Sequence, residues 1–118
     1  KTMVYRLCEY RNSLSMVIPK RVIQRAPSAE LRPDQTDQDS LPSYDVIDGI
    51  IEAYVEKGKS LNEIIDMGYS KTDVQHIVNL ICKNEYKRRQ SPMGICVTQH
   101  SFSRDWHYPI TSKYKDEV

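Results

Sequence analysis

The sequence contains little that would support a disulfide framework, a zinc site or a membrane span. It has three cysteines, Cys8, Cys82 and Cys96, which lie without short spacing between them. An odd number of cysteines without such spacing argues against disulfide pairing and against structural zinc, so we expect reduced thiols in a cytoplasmic protein. No run of eighteen apolar residues is present, and the first residues lack the apolar stretch of a signal peptide.

Glycine and phenylalanine are also scarce. The 118 residues include four Gly and one Phe, against eight Tyr. Because Tyr combines an apolar ring with a polar hydroxyl, it favours half-buried positions and interfaces. The apolar share of 39% and a mean hydropathy of −0.62 predict one domain with a modest core and much loop. A net charge of +1 gives no support for a nucleic-acid or acidic partner.

Apolar residues at helical spacing predict a mainly α chain in four parts. These are a helix and short turn at 1–24, an acidic lid-like loop at 25–43, a three-helix unit at 44–89 and an extended tail at 90–118. Three prolines in the loop withhold backbone donors, which excludes a helix or a central strand there. The tail has lost the helical period, so it must dock on another part of the chain to be ordered, and Trp106 and Tyr108 are candidate anchors.

The three-helix unit carries clear start and stop signals. Ser60 and Glu63 have the spacing of a capping box, in which a hydroxyl and a carboxylate satisfy free N–H groups at a helix start. Gly68 offers a left-handed end to the same helix. The third helix is expected to run through Arg88, and its predicted buried face consists of Val74, Ile77, Val78 and Ile81.

Two charged stretches are candidates for binding chemistry. The basic run 87–89 could bind phosphate, since an Arg fork matches phosphate oxygens and Lys supplies a point charge. The carboxylates between Asp34 and Asp39 could help to hold Mg²⁺. For both stretches the alternative is a solvated charged surface. No histidine pair has metal-ligand spacing, and no serine or cysteine has the setting of a nucleophile, so no catalytic residue is predicted.

The unit at 44–88 also fits a helix-turn-helix. In that alternative, a DNA-binding or protein-interaction module, the contacts to bases would come from the start of the third helix, at Lys71, Thr72, Gln75 and His76. However, the basic residues gather at the other end of this helix, whereas DNA binding needs a basic docking face. We therefore favour a plain helical packing unit.

Several stretches in the same order along nearly the whole chain carry a family resemblance. They are KTMVY at 1–5 with YRN at 10–12, PSAEL at 27–31 with QTDQDSLPSYD at 35–45, NEYKRRQ at 84–90, and RD at 104–105 with PIT at 109–111. Together they resemble the C-terminal part of the glutamine-dependent NAD synthetases. The resemblance implies a helical C-terminal fragment of an α/β nucleotide-binding synthetase domain of the ATP pyrophosphatase type.

The resemblance also implies the reaction of the complete enzyme. In this family ATP adenylates the nicotinate carboxylate of deamido-NAD, and ammonia from glutamine then attacks it to give NAD. The amidase domain and the Ser-Gly-Gly-x-Asp-Ser phosphate loop of the family are not in this sequence. We therefore expect the chain to be inactive by itself and to hold no cofactor, whereas the full enzyme would use ATP and Mg²⁺. A compatible third possibility is a structural segment whose exposed apolar faces associate with one another.

The resemblance implies roles for individual residues. Tyr86 and Lys87 stand where related enzymes have a His-Lys pair that binds deamido-NAD. Lys1 matches a lysine that contacts ATP. Ser28 keeps the hydroxyl of a threonine at the ATP and magnesium site, and Glu30 keeps the charge of an aspartate in the same motif. Implied partners are deamido-NAD, ATP, ammonia and a second copy of the synthetase domain, with no nucleic acid and no membrane.

Overall fold

The structure, a computed structural model, describes residues 1–25, 28, 31–37, 41–90, 92, 94–98, 100 and 107–111. Every regular element in these residues is helical, as the sequence predicts. The contacts divide the chain into two units, Lys1–Leu41 and Pro42–Val118. Within the described residues, no helix is long and apolar enough to cross a bilayer.

The first unit contains helices α1 (Thr2–Leu14) and α2 (Lys20–Gln24). The side chain of Asn12 closes the turn between them. Its Oδ1 accepts hydrogen bonds from the backbone N–H groups of Val17 at 3.1 Å and Ile18 at 3.0 Å, and its Nδ2 donates to the carbonyl of Ile18 at 2.9 Å. One amide side chain thus satisfies backbone groups that no helix pairs.

Helix α1 leaves much of its apolar face exposed. Val4, Leu7 and Leu14 recur at helical spacing, yet each is more than half exposed, and no residue of α1 is buried. The helical period was predicted correctly, but it does not mark a core within this unit. Packing of an amphipathic face supplies most of the stability of a helix in a folded protein, and α1 lacks that contribution among the described residues.

The second unit holds the core. It consists of α3 (Tyr44–Ile51), a π-helical segment (Glu52–Glu56), α4 (Leu61–Asp66), α5 (Lys71–Lys83) and α6 (Glu85–Arg88). The predicted face of α5 is buried in full, and Ile50, Ile64 and Val74 are completely excluded from solvent. Burial of each such aliphatic side chain stabilises the unit by about 2 kcal/mol.

The π-helical segment was not predicted. The N–H of Lys57 donates to the carbonyl of Glu52 at 3.0 Å, five residues back instead of four. Because this wider turn rotates less per residue, three successive side chains, Ala53, Tyr54 and Val55, all face the core. Apolar spacing alone gives no sign of this wider turn.

The predicted capping box is present at the start of α4. The N–H of Glu63 donates to Oγ of Ser60 at 3.4 Å, and the N–H of Ser60 donates to Oε2 of Glu63 at 2.8 Å. The hydrogen bond from the Ser60 hydroxyl, followed by that from its backbone N–H, lowers the pKa of the Glu63 carboxyl. Gly68 then takes a positive φ of +100°, as its predicted helix-ending role requires.

The third helix is shorter than predicted. It ends at Lys83. The next residue, Asn84, has a φ of −95° and a ψ of 11° that depart from the helix, and a separate short helix carries Glu85–Arg88. Nδ2 of Asn84 donates to the carbonyl of Leu80 at 2.8 Å. The backbone N–H of Asn84 donates to the same carbonyl at 3.0 Å, so the residue closes the last turn of α5 with two hydrogen bonds before the chain leaves the helix. The basic run therefore belongs to α6 and not to the end of α5.

We expect Ser60→Ala to lower the free energy of unfolding by about 1 kcal/mol, because it removes the cap acceptor. Ser70→Ala is the matched control: Ser70 precedes α5 in the same position, but within the described structure its side chain makes no cap hydrogen bond. Urea unfolding of the 118-residue chain measures both. Equal losses in the two variants would contradict the assignment.

Gly49 lies inside α3 because the ring of Tyr69 packs over it, and a Cβ at this position would lie 3.0 Å from Cζ of Tyr69. Alanine is favoured over glycine in a helix by about 1 kcal/mol. We therefore expect Gly49→Ala to stabilise a Tyr69→Ala background by about this amount and to destabilise the chain that retains Tyr69. Urea unfolding in both backgrounds tests this, and an identical effect in the two would exclude the steric explanation.

Candidate functional site

Helix α6 presents two of the predicted site residues to solvent. Tyr86 is 48% exposed, and Lys87 next to it is also exposed. Nζ of Lys87 lies 5.8 Å from the centroid of the Tyr86 ring, within the range of a cation–π contact. The pair therefore offers an ammonium and an aromatic face at one accessible place, a combination that suits an anionic, aromatic ligand.

On its other side α6 is anchored by a buried carboxylate. Glu85 is only 1% exposed, and its Oε1 accepts a hydrogen bond from Nδ1 of His107 at 2.8 Å. Its Oε2 lies 3.5 Å from Nη2 of Arg88, whose side chain is 11% exposed. Arg88 therefore points inward and pairs with Glu85, so the predicted phosphate-binding run 87–89 must be corrected: its exposed members are Lys87 and Arg89.

The electrostatic balance at Glu85 favours its ionised form. Burial raises the pKa of its carboxyl, but the hydrogen bond from His107, a backbone hydrogen bond from Tyr108 and the charge of Arg88 together outweigh burial. The net result is a pKa below the ordinary value of 4.5. The carboxylate thus stays charged at neutral pH and acts as an acceptor.

Glu85 was not recognised as a site residue from the sequence, although a signal for it exists. Position 85 follows Ile81 by four residues and Val78 by seven, and both are buried. It therefore continues the apolar register of α5 into α6, and a carboxylate stands where the pattern calls for an apolar side chain. An acid at a core position must have partners, and here these are Arg88, three residues on, and His107 in the tail.

Three side chains among the described residues of the tail contact the helical unit. His107 binds Glu85, and the hydroxyl of Tyr108 is hydrogen-bonded to the hydroxyl of Tyr54 in the π-helical segment. In addition, Nδ1 of His100 lies 3.1 Å from the carbonyl of Glu56. The predicted anchoring role of Tyr108 is confirmed, whereas the other predicted anchor, Trp106, lies outside the described residues.

The remaining predicted site residues belong to the first unit. Lys1 is exposed, with Nζ 5.9 Å from the ring centroid of Tyr5, and Ser28 is half-buried. Glu30 and Asp39 lie outside the described residues. In the described part of the chain, no group of three or more His, Cys, Asp or Glu side chains could hold a metal ion. A magnesium role for Ser28 stays a prediction.

Comparison with known proteins identifies the family. The family model described as NAD synthase matches residues 1–91, most of the chain. The chain belongs to the NAD synthase family. The match includes α6 with Tyr86 and Lys87, while the tail residues that bind Glu85 and Tyr54 lie beyond it.

Individual members of the NAD synthase family are similar over nearly the whole chain. The glutamine-dependent NAD(+) synthetase of Aquifex aeolicus is 50% identical over 114 residues, which are 97% of this chain and 20% of that protein. The enzyme of the same description from Acinetobacter baylyi is 50% identical over 119 residues, which cover 99% of this chain and 22% of the relative. The chain thus spans about a fifth of the length of these relatives.

A solved structure shares the fold as well as the sequence. The glutamine-dependent NAD+ synthetase from Acinetobacter baumannii, in complex with ADP, is 43% identical with a TM-score of 0.57. The match covers 93% of this chain and 19% of that one. These comparisons confirm the predicted family. They also confirm the predicted fold class, a helical segment of the synthetase domain.

The lowered pKa of Glu85 makes stability depend on pH. Because the folded pKa lies below 4.5, the contribution of the carboxylate is fully present above this value and is lost as the pH falls through the folded pKa. We expect Glu85→Gln to be less stable than the unchanged chain at pH 7 and this difference to shrink below pH 4.5. Urea unfolding at a series of pH values tests it, and a difference independent of pH would show that the ionised form is not what stabilises the unit.

Proposed function

We propose that the chain is the helical C-terminal part of the synthetase domain of a glutamine-dependent NAD synthetase. The whole enzyme amidates deamido-NAD to NAD, using ATP and ammonia from glutamine, through an adenylated intermediate. The observation that carries the proposal is 50% identity over nearly the whole chain to enzymes of that description. The 118 residues supply part of the substrate site and are inactive alone.

In this proposal α6 binds deamido-NAD. Lys87 offers an exposed ammonium to a phosphate or carboxylate of the ligand, and Tyr86 offers a ring face beside it. Both side chains stand on a helix whose inner side is fastened by Glu85. A fixed cation loses less conformational freedom on binding than one on a loose segment, which favours this location for substrate recognition.

Lys1 and Ser28 are proposed to contact ATP, with Ser28 also at the magnesium ion. Mg²⁺ is usually held by one or two protein oxygens together with substrate phosphates and water, so a single hydroxyl fits a site that ATP completes. The loop at 25–43 would then serve as a lid. Bound ATP with Mg²⁺ supplies the activation of the carboxylate, and a closed lid would keep water from the activated acyl group.

The proposal extends to assembly and location. The complete enzyme would act in the cytoplasm as a homo-oligomer joined through the synthetase domain. The DNA-binding alternative receives no support from α5, since its first turn holds one cation, Lys71, and one acid, Asp73, and so forms no basic face. DNA therefore serves as a control ligand below.

The experiment is a titration with deamido-NAD and ATP–Mg²⁺, comparing Lys87→Ala with Lys83→Ala, an exposed lysine at the end of α5 that serves as the matched control. We expect the backbone NMR signals of α6 to shift with deamido-NAD. Loss of a charged hydrogen bond should weaken binding about tenfold in the Lys87 variant and leave the Lys83 variant unchanged.

The same two variants are assayed in the Acinetobacter baylyi relative with this chain in place of its matching segment. There Lys87→Ala should raise KM for deamido-NAD about tenfold. Equal behaviour of the two lysine variants in both assays would contradict the proposed substrate site. Tight DNA binding that falls steeply with salt would favour the helix-turn-helix alternative instead.

A further inference from the structure

We propose that Glu85 is a positioning residue for Tyr86 and Lys87, and that His107 holds it in place. The inference rests on the proposed function, because it assigns a purpose to the orientation of the pair that would bind deamido-NAD. It adds that substrate recognition depends on the tail segment 107–111, which contributes no proposed substrate contact of its own.

The first argument is the length of α6. It has four residues, Glu85–Arg88, too few to hold a helical conformation by their own hydrogen bonds. Its orientation must therefore come from side chains that reach other elements. Glu85 and Arg88 face inward, while Tyr86 and Lys87 face outward from the same single turn. Any rotation of the inner pair necessarily moves the outer pair.

The second argument is how the carboxylate is held. Oε1 of Glu85 takes the hydrogen bond from His107 at 2.8 Å, and Oε2 faces Arg88 at 3.5 Å. The next tail residue, Tyr108, bonds to Tyr54 in the π-helical segment. The adjacent residues His107 and Tyr108 thus join α6 to the π-helical segment.

The third argument concerns the choice of residue. Position 85 continues an apolar register, and an aliphatic side chain there would bury without the desolvation cost of a charge. An aliphatic side chain would also allow several orientations, whereas a carboxylate with a donor on one oxygen and a cation beside the other fixes one. Small displacements of a binding group lower catalytic efficiency strongly, so a fixed orientation is useful where substrate binds.

His107 provides the sharpest test, since its side chain is 37% exposed and is not itself part of the apolar core. His107→Leu removes the donor. His107→Asn keeps an N–H donor at nearly the position of Nδ1. His100→Leu is the matched control, because His100 is another tail histidine whose ring nitrogen contacts a backbone carbonyl of the same unit.

The first measurement is NMR of the 118-residue chain. We expect His107→Leu to shift and broaden the side-chain signals of Lys87 and the ring signals of Tyr86, with both restored in His107→Asn and unchanged in His100→Leu. Unaltered Lys87 and Tyr86 signals in His107→Leu would overturn the proposal, whether or not the isolated chain binds a ligand.

The second measurement uses the chimera with the Acinetobacter baylyi relative. His107→Leu should raise KM for deamido-NAD about fivefold to tenfold, with kcat and KM for ATP changed less than twofold, and His107→Asn should restore most of the loss. A uniform fall in kcat with no change in KM would indicate a merely structural role and contradict positioning.

Lys87→Ala in the same chimera separates the two proposals. If Lys87→Ala raises KM and His107→Leu does not, the substrate site stands and the positioning role fails. If Lys87→Ala has no effect, the proposed substrate site itself is wrong, and the NMR result still decides whether Glu85 and His107 orient α6.

Discussion

The pairing of the buried Glu85 carboxylate with His107 and Arg88 is the interaction on which the second unit depends. The carboxylate lies where α5 gives way to α6, at the end of an otherwise apolar face, and it cannot be left there without partners. Its partners come from α6 itself and from the tail, some twenty residues further along the chain. A single desolvated charge therefore decides where the tail runs and which side of α6 meets solvent.

The π-helical segment complements this anchor. By turning three successive side chains inward, it brings Tyr54 into the core with its hydroxyl available to Tyr108. The hydroxyl of Tyr54 thereby gives the tail an attachment to the π-helical segment in addition to its attachment to Glu85. Wide turns of this kind often accompany functional sites. Here the turn carries Tyr54, which holds Tyr108, and the adjacent His107 contacts Glu85 of α6, the helix proposed to bind substrate.

The two units differ in how they use apolar residues. The helices α3 and α5 of the second unit bury their apolar faces, whereas α1 of the first unit leaves Val4, Leu7 and Leu14 exposed. The relatives are about five times as long as this chain, so a segment of such a protein need not bury every apolar face within itself. An exposed stripe on α1 is therefore consistent with a part of a larger fold, which is how the family comparison places the chain.

The sequence by itself determined the family, the helical class and the boundaries set by local chemistry. The capping box at Ser60, the left-handed end at Gly68 and the buried face of α5 all follow from interactions between residues a few positions apart. Such interactions can be read from spacing because the helix fixes which neighbours meet.

Only the tertiary structure decided the rest. The break at Asn84 appears in its backbone angles and not in the apolar spacing, and the inward turn of Arg88 depends on a buried acid beside it. The pairing of Glu85 with His107 joins residues whose separation along the chain carries no periodic signal. Contacts of this kind depend on how the chain folds back on itself, so local spacing gave no basis for predicting them.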